Sequence, residues 1–365
     1  MKRKISSAQL LFSVASFIVA SRMITKVLYS YLKQDSWIGI LLGYLISLPV
    51  LMIYGALAKR FPSKNIIEIS EAVFGKILGK IISACYTFYF MSLAVLYTRS
   101  VGTFVKTIIL PNTPMALILI LFVFICSWAV KKGIIGLTGC STVLAAISAV
   151  LIIFKFLLLF KELEFKNFLP AFAMQPKNYL IGAHVVAAQS LCEIFVFFML
   201  VPHMQKPEEF GRTARAGVTV ATVILLIVTA RDIAVLGSYT VVSTMPSFSV
   251  LRLIDVGDIF TRLESLYTAI HISLLFFNVS ILYYATVSGF SRLLNVKSHQ
   301  CFIHIFGALM ITGALSVFES SYEHTQWNSS AAAIYATLFL FFLPAATLIA
   351  AAIRRLPGKE TEHPA

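Results

Sequence analysis

Charge is scarce in this chain. Only 13% of its 365 residues are Asp, Glu, Lys or Arg, about half the share of a soluble globular domain. Acid is scarcer still, with 16 Asp and Glu against 30 Lys and Arg. The common enzyme signatures are missing as well. There is no glycine-rich loop to cradle phosphates, no zinc-ligand spacing and no nucleophile–His–acid pattern. The histidines are dispersed, and the five cysteines, Cys85, Cys126, Cys140, Cys192 and Cys301, sit singly in apolar runs as small packing residues. No enzyme activity, cofactor or metal is expected. The excess of basic residues belongs to loops that set membrane orientation and meet anionic lipid, not to a nucleic-acid surface.

What the chain has in abundance is apolar sequence, 59% of its residues. Long apolar runs predict an all-α polytopic membrane protein with about ten transmembrane helices. They fall at about 9–31, 36–57, 81–110, 115–130, 136–160, 183–201, 217–241, 265–289, 301–318 and 331–353. Two connectors interrupt them. Residues 65–80 read as an amphipathic helix lying along the membrane surface, and 249–263, within the connector 245–264, read as another. Residues 319–328 read as a loop without Lys or Arg. No cleavable signal peptide is expected at the start. The alternate-loop count of Lys and Arg puts both termini on the cytoplasmic side.

The connectors follow the second and the seventh span, equivalent places in two five-span halves. Halves with an odd number of spans must be inverted relative to each other, as in transporters whose substrate site lies between the first helices of each half. The whole of 1–365 is thus one transmembrane permease-like domain. Its first half is about 8–160, its second about 180–353, with 354–365 a cytoplasmic tail.

Spans one and six carry the odd residues. Glu193 is a lone carboxylate in the middle of the sixth apolar run, with Gln189 and Ser190 four and three residues earlier, on one helical face. A charge at that depth is costly by about 2.5–3.5 kcal/mol. It must face a basic partner, a water-filled cavity or a ligand, unless it is a paired or protonated acid kept for packing. Arg22 lies deep in span one, and Lys26 and Lys33 beyond it can snorkel to the interface. Arg99, Thr103 and Lys106 share a face late in span three. Tyr283 and Tyr284 read as packing or interfacial aromatics.

Several short motifs carry a family resemblance. They are Ile5 through Gln9, Asp35 to Trp37 at the start of span two, Leu110 to Pro114 after span three, Phe168 to Pro170 before span six, and the connector from Met245 to Glu264. The chain resembles, over nearly its whole length, the B-subunit, permease-like family of spore germinant receptors, a branch of the amino acid–polyamine–organocation transporter superfamily. The resemblance implies a LeuT-like fold of ten helices in a 5+5 inverted repeat, in the spore inner membrane or cell membrane. It implies A-type and C-type (lipoprotein) partner subunits, and a small-molecule germinant such as an amino acid. The chain departs from the pattern twice. Residues 19–22 lack the glycines that usually break the first span, and Asn278 stands where many relatives lead one to expect lysine.

A ligand site between helices 1, 3, 6 and 8 would then draw on Ser21, Arg22, Arg99, Gln189, Ser190, Glu193 and Asn278. Glu193 would hold an ammonium. Open backbone N–H groups in span one, or Arg22, would hold a carboxylate, and Phe195, Phe197 and Phe198 would set side-chain size. A direct Arg22–Glu193 ion pair is the alternative. Three functions stay open: a sensor read by partner subunits, an amino-acid/cation symporter, and a structural or ion-path subunit with no ligand of its own.

Overall fold

In the bilayer no water is at hand to satisfy backbone groups, so helix is the expected answer to so apolar a chain. The computed structural model describes residues 4–21, 23–253, 263–296 and 298–356. Among them the regular structure is helical, apart from one isolated bridge between Ile5 and Met204. Nine helical stretches of the described residues are long and apolar enough to cross a membrane. The remaining expected span is the first, which is broken. Helix α1 (Ser7–Ala20) has 14 residues, about 21 Å, and falls short of the roughly 30 Å hydrocarbon core. Helix α2 (Met23–Leu32) continues it.

The N-terminal motif has a mechanical meaning. Ser6 and Gln9 form a capping box, Ser6 Oγ accepting from the Gln9 N–H and Gln9 Oε1 from the Ser6 N–H. Ile5 then donates to the His203 carbonyl at 2.8 Å and accepts from the Gln205 N–H at 2.9 Å. The start of span one is thereby fastened to the end of span six.

Span two is α3 (Ser36–Arg60), followed by α4 (Ile66–Phe74). The surface helix expected over 65–80 is shorter than that. Asn65 caps α4 in a box with Glu68, and Gly75, at φ +81°, ends it. Residues from Lys76 onward already belong to α5 (Lys76–Ile108), the third span. Helices α6 (Met115–Lys132) and α7 (Ile134–Leu158) complete the first half. Span six is a composite of α8 (Pro176–Val186), one π-helical turn at Ala187–Leu191, and a 3-10 segment at Glu193–His203. Then come α9 (Phe210–Leu236), the short α10 (Tyr239–Val242) and α11 (Pro246–Ser249), α12 (Leu263–Leu293) and α13 (Ile303–Ser316).

The second connector differs from expectation: α11 is followed by a 3-10 turn at Val250–Leu253, not by a long amphipathic helix from 249, and 254–262 lie outside the described residues. The loop expected at 319–328 is instead helix α14 (Ser321–Ser330), started by Ser320 Oγ accepting from the Glu323 N–H. Helix α15 (Ala332–Thr337), a π turn at Leu338–Phe342 and α16 (Leu343–Ile353) form the last span.

The packing has the symmetry of an inverted repeat. α1 packs along α9 (spans one and seven), and α3 along α8 (spans two and six). Exchanging the halves turns one pair into the other. Spans three and eight, α5 and α12, map onto each other and share the most extensive helix–helix contact. Two sequence motifs also meet. Buried Asp35 accepts from the Phe172 and Ala173 N–H groups at 3.1 and 3.0 Å and from Tyr179 OH at 2.5 Å. Gln34 Nε2 donates to the Pro170 carbonyl at 2.7 Å. The loop before span six is thus tied to the start of span two.

Helices α3 and α9 approach closely at Gly55 and Gly211, where a Cβ on Gly211 would lie 2.4 Å from Gly55 Cα. Gly211→Ala therefore forces the backbones apart, an overpacking that costs about 1–3 kcal/mol. The expected outcome is a lower thermal midpoint of the purified protein; an unchanged midpoint would show that this approach is not needed.

Candidate functional site

Span one breaks without a glycine, and side chains explain how. The Ser21 N–H turns to the Ile18 carbonyl at 3.1 Å, which leaves the Phe17 carbonyl without its helical partner. Ser21 Oγ, at 3.2 Å, and Asn278 Nδ2, at 2.9 Å, bond that carbonyl instead. Asn278 is fully buried on α12, so span eight props the break from behind. Span six breaks through its π turn, where the Cys192 N–H reaches back to the Ala187 carbonyl at 2.9 Å, and the chain then tightens into the 3-10 segment that opens with Glu193.

The two breaks meet across Tyr97 of α5. Tyr97 OH donates to Glu193 Oε2 at 2.7 Å, and Ser21 Oγ lies 2.5 Å from the same tyrosine oxygen. With Tyr97 donating to Glu193, the single Ser21 hydroxyl proton turns either to the Tyr97 oxygen or to the Phe17 carbonyl, and the three groups bring spans one, three and six together. Glu193 is 5% exposed, and no cation pairs with it among the described residues. The carboxylate borders a cavity of about 70 Å³ that Ser21, Tyr97, Gln189 and Glu193 line together with Trp327 and Asn328. Water occupies about 30 Å³ per molecule in the liquid, so this space holds a few waters or a small ligand group.

Of the seven residues expected at the site, Ser21, Gln189 and Glu193 converge on this cavity. Gln189 Nε2 also donates to the Asn328 carbonyl at 2.9 Å, tying span six to α14. Ser190 does not share their face: it is fully buried, away from the cavity wall, and its hydroxyl has no partner among the described residues. The π turn adds a residue to the helical repeat, so the three-residue spacing to Glu193 no longer means a common face. Asn278 serves the break rather than the cavity wall.

Arg99 is buried, and its Nη1 donates to the Ala314 and Leu315 carbonyls at 3.1 and 3.3 Å, at the C-terminal end of α13. That is a favourable place for a cation, and it is not on the wall of the Glu193 cavity. Arg22 lies outside the described residues. Phe195, Phe197 and Phe198 are fully buried and pack with Phe17, Tyr54 and Tyr86, so they do not size the cavity. Leu93, Leu96, Ala332 and Tyr335 form its apolar wall.

Two features escaped the sequence reading. Tyr97 was hidden in an apolar stretch, although Leu93, Tyr97, Ser100 and Phe104 recur at helical spacing. Helix α14 covers the cavity with His324, Trp327 and Asn328, and Tyr31 OH of α2 donates to its Ser329 carbonyl at 2.7 Å. His324 stacks on Phe318 at 4.7 Å between ring centroids. Burial, with the Arg99 charge nearby, pushes its imidazole down to about 4, so it is neutral at pH 7.

The comparisons with known proteins agree with this architecture. The model of a family described as spore germination protein matches residues 4–322. Spore germination protein YndE of Bacillus subtilis (strain 168) is 26% identical over 318 residues, 86% of each chain. Spore germination protein KB of the same organism is 25% identical over 346 residues, 92% of this chain and 90% of that one. Among solved structures, Mhp1, a nucleobase-cation-symport-1 family transporter in a closed conformation with bromovinylhydantoin bound, matches with a TM-score of 0.53 at 12% identity. The match covers 98% of this chain and 92% of that one. It establishes the LeuT-like fold and nothing about ligand.

Tyr97→Phe removes the hydroxyl that joins both breaks, whereas Ser21→Ala leaves Asn278 on the Phe17 carbonyl. Tyr97→Phe is expected to lower the thermal midpoint more, by the equivalent of about 1.5–3 kcal/mol for a hydrogen bond to a charged group. Equal midpoints for the two variants would remove Tyr97 from the centre of the site.

Proposed function

This chain belongs to the spore germination protein family, and on that premise we propose that it is the membrane-embedded sensing subunit of a germinant receptor. Its ligand is a small zwitterion, an amino acid or a close relative, held where spans one and six break. The observation that carries the reading is Glu193. It is a carboxylate at the rim of a cavity, hydrogen-bonded by Tyr97 and faced by no cation among the described residues. A ligand ammonium supplies the missing counter-charge. The N-terminal turn of α2, which begins at Met23 just beyond the break, offers the positive end of a helix dipole to the ligand carboxylate.

The signal would travel through contacts already described. Gln189 of span six and Tyr31 of span one both hold α14, so a ligand that draws the two breaks together also moves the helix above them. A-type and C-type receptor subunits would read that movement. In this reading the protein binds and signals without catalysing a reaction, and it resides in the spore inner membrane with both termini in the cytoplasm.

The test is germination of spores carrying only this receptor's operon, over an amino-acid panel, with subunit levels matched by immunoblot. Glu193→Gln keeps the shape and removes the charge. Loss of a charge-assisted bond of about 1.5–3 kcal/mol raises the half-effective germinant concentration by roughly 10- to 100-fold. An unchanged dose–response at equal subunit levels overturns the assignment. Accumulation of the amino acid in vesicles by this subunit alone would mark a symporter instead.

A further inference from the structure

The last span carries a π turn of its own at Leu338–Phe342, and Pro344 follows it. In a regular helix the Leu340 carbonyl would be served by the N–H of residue 344, and proline has none. Tyr54 OH of span two donates to that carbonyl instead, at 2.6 Å, and lies 3.3 Å from the Cys192 carbonyl of span six. One buried hydroxyl of span two thus sits at the π turns of both spans.

The same three spans wall a cavity of about 230 Å³. Ala188 and Cys192 face it from span six, Leu340 and Phe342 from the last span, and Ile46 and Val50 from span two. Apart from the Cys192 thiol, the polar side chains among its described lining residues are His184 and Thr337, and these bond each other. Thr337 Oγ1 gives its proton to the Ala333 carbonyl at 2.7 Å, so it accepts from His184 Nε2, also 2.7 Å away. The remaining lining side chains are hydrocarbon. A cavity of this kind stays free of water and takes apolar guests.

Its mouth is on the outside of the bundle. Ile46 is 44% and Phe342 59% exposed, and both lie near the midpoints of their apolar spans. What faces them is therefore the hydrocarbon interior of the bilayer. A partner helix, about 10–12 Å across, is too wide to enter, whereas an alkyl chain is not. We propose that this cavity holds one acyl chain of a bilayer lipid, packed behind the π turn of span six. That turn carries Gln189 and is followed at once by Glu193, so the bilayer itself takes part in holding the site's geometry. Filling about a quarter of such a void is worth about tenfold in occupancy. The inference holds whatever ligand Glu193 takes.

The test is photo-crosslinking of the intact protein in lipid nanodiscs that contain phosphatidylglycerol with a diazirine midway along one acyl chain. Labelled positions are read by peptide mass spectrometry. Val150 and Ile153 on α7, 65% and 62% exposed, report ordinary contact with the bilayer. The expected result is labelling at 187–192 and 338–342 that saturates as the probe fraction rises. At low fraction it exceeds labelling at Val150 and Ile153 by about tenfold. Ala188→Phe fills the cavity and lowers labelling there by about the same factor, with labelling on α7 unchanged. Val50→Phe fills it from span two should Ala188→Phe fail to fold, and the wild-type titration decides should both fail. The proposal is overturned if labelling at the cavity in folded wild-type protein is no greater than on α7, or rises without saturating. Undiminished labelling in a folded, cavity-filled variant overturns it too.

Discussion

A carbonyl oxygen released from a helix inside a bilayer has no water to turn to, and the Phe17 carbonyl is in that position. Ser21 Oγ and Asn278 Nδ2 both reach it. Without them span one would either close into a continuous helix or bury an unsatisfied group, at a cost of about 1–3 kcal/mol. The break that they secure sets Ser21 beside Tyr97, and through Tyr97 beside Glu193. Asn278 is thus a structural necessity of the site without belonging to its wall. The departure from glycine at 19–22 is offset by two polar side chains that perform the same task from outside the backbone.

The polar cluster at the far end of span seven shows the same economy. Arg231 and Asp232 are both buried, paired at 2.5 Å, and Tyr29 of α2 and Ser247 of α11 also donate to Asp232. Adjacent charges in a membrane helix are tolerable because each finds its partner next door and further donors complete the shell. This cluster fixes the α2 part of span one against the connector at 243–249, as Lys26 does a few residues away. Cavities persist in this bundle because polar fastenings at their edges keep the helices from closing onto them.

Much of this was legible in the sequence. The apolar runs gave the helices, the placement of the connectors gave the inversion, and a lone acid in the sixth run pointed to the cavity that Glu193 borders. The gaps have physical causes. Ser190 was placed beside Glu193 by a repeat of 3.6 residues, and the π turn at Ala187–Leu191 cancels that arithmetic. Arg99 reads as a ligand-site charge until the α13 carbonyls that it caps are in view, because a helix end is a tertiary partner that spacing does not reveal. Helix α14 has no apolar periodicity; the Ser320 cap starts it, and docking against Tyr31 and Gln189 holds it in place. The first run carries no glycine to mark a break, and it breaks through Ser21 and Asn278, residues that hydropathy scores as unremarkable.

The pairing of Ile5 with residues 203–205 has a geometric corollary. Spans one and six run antiparallel, stitched at one end by backbone hydrogen bonds and touching through Tyr97 halfway along. Two rods joined at one tip can separate only at the other. Rigid-body divergence of this pair therefore admits solutes from the side of α14, while access from the stitched side requires backbone bonds to be broken first. The bundle is built to open in one direction far more readily than in the other.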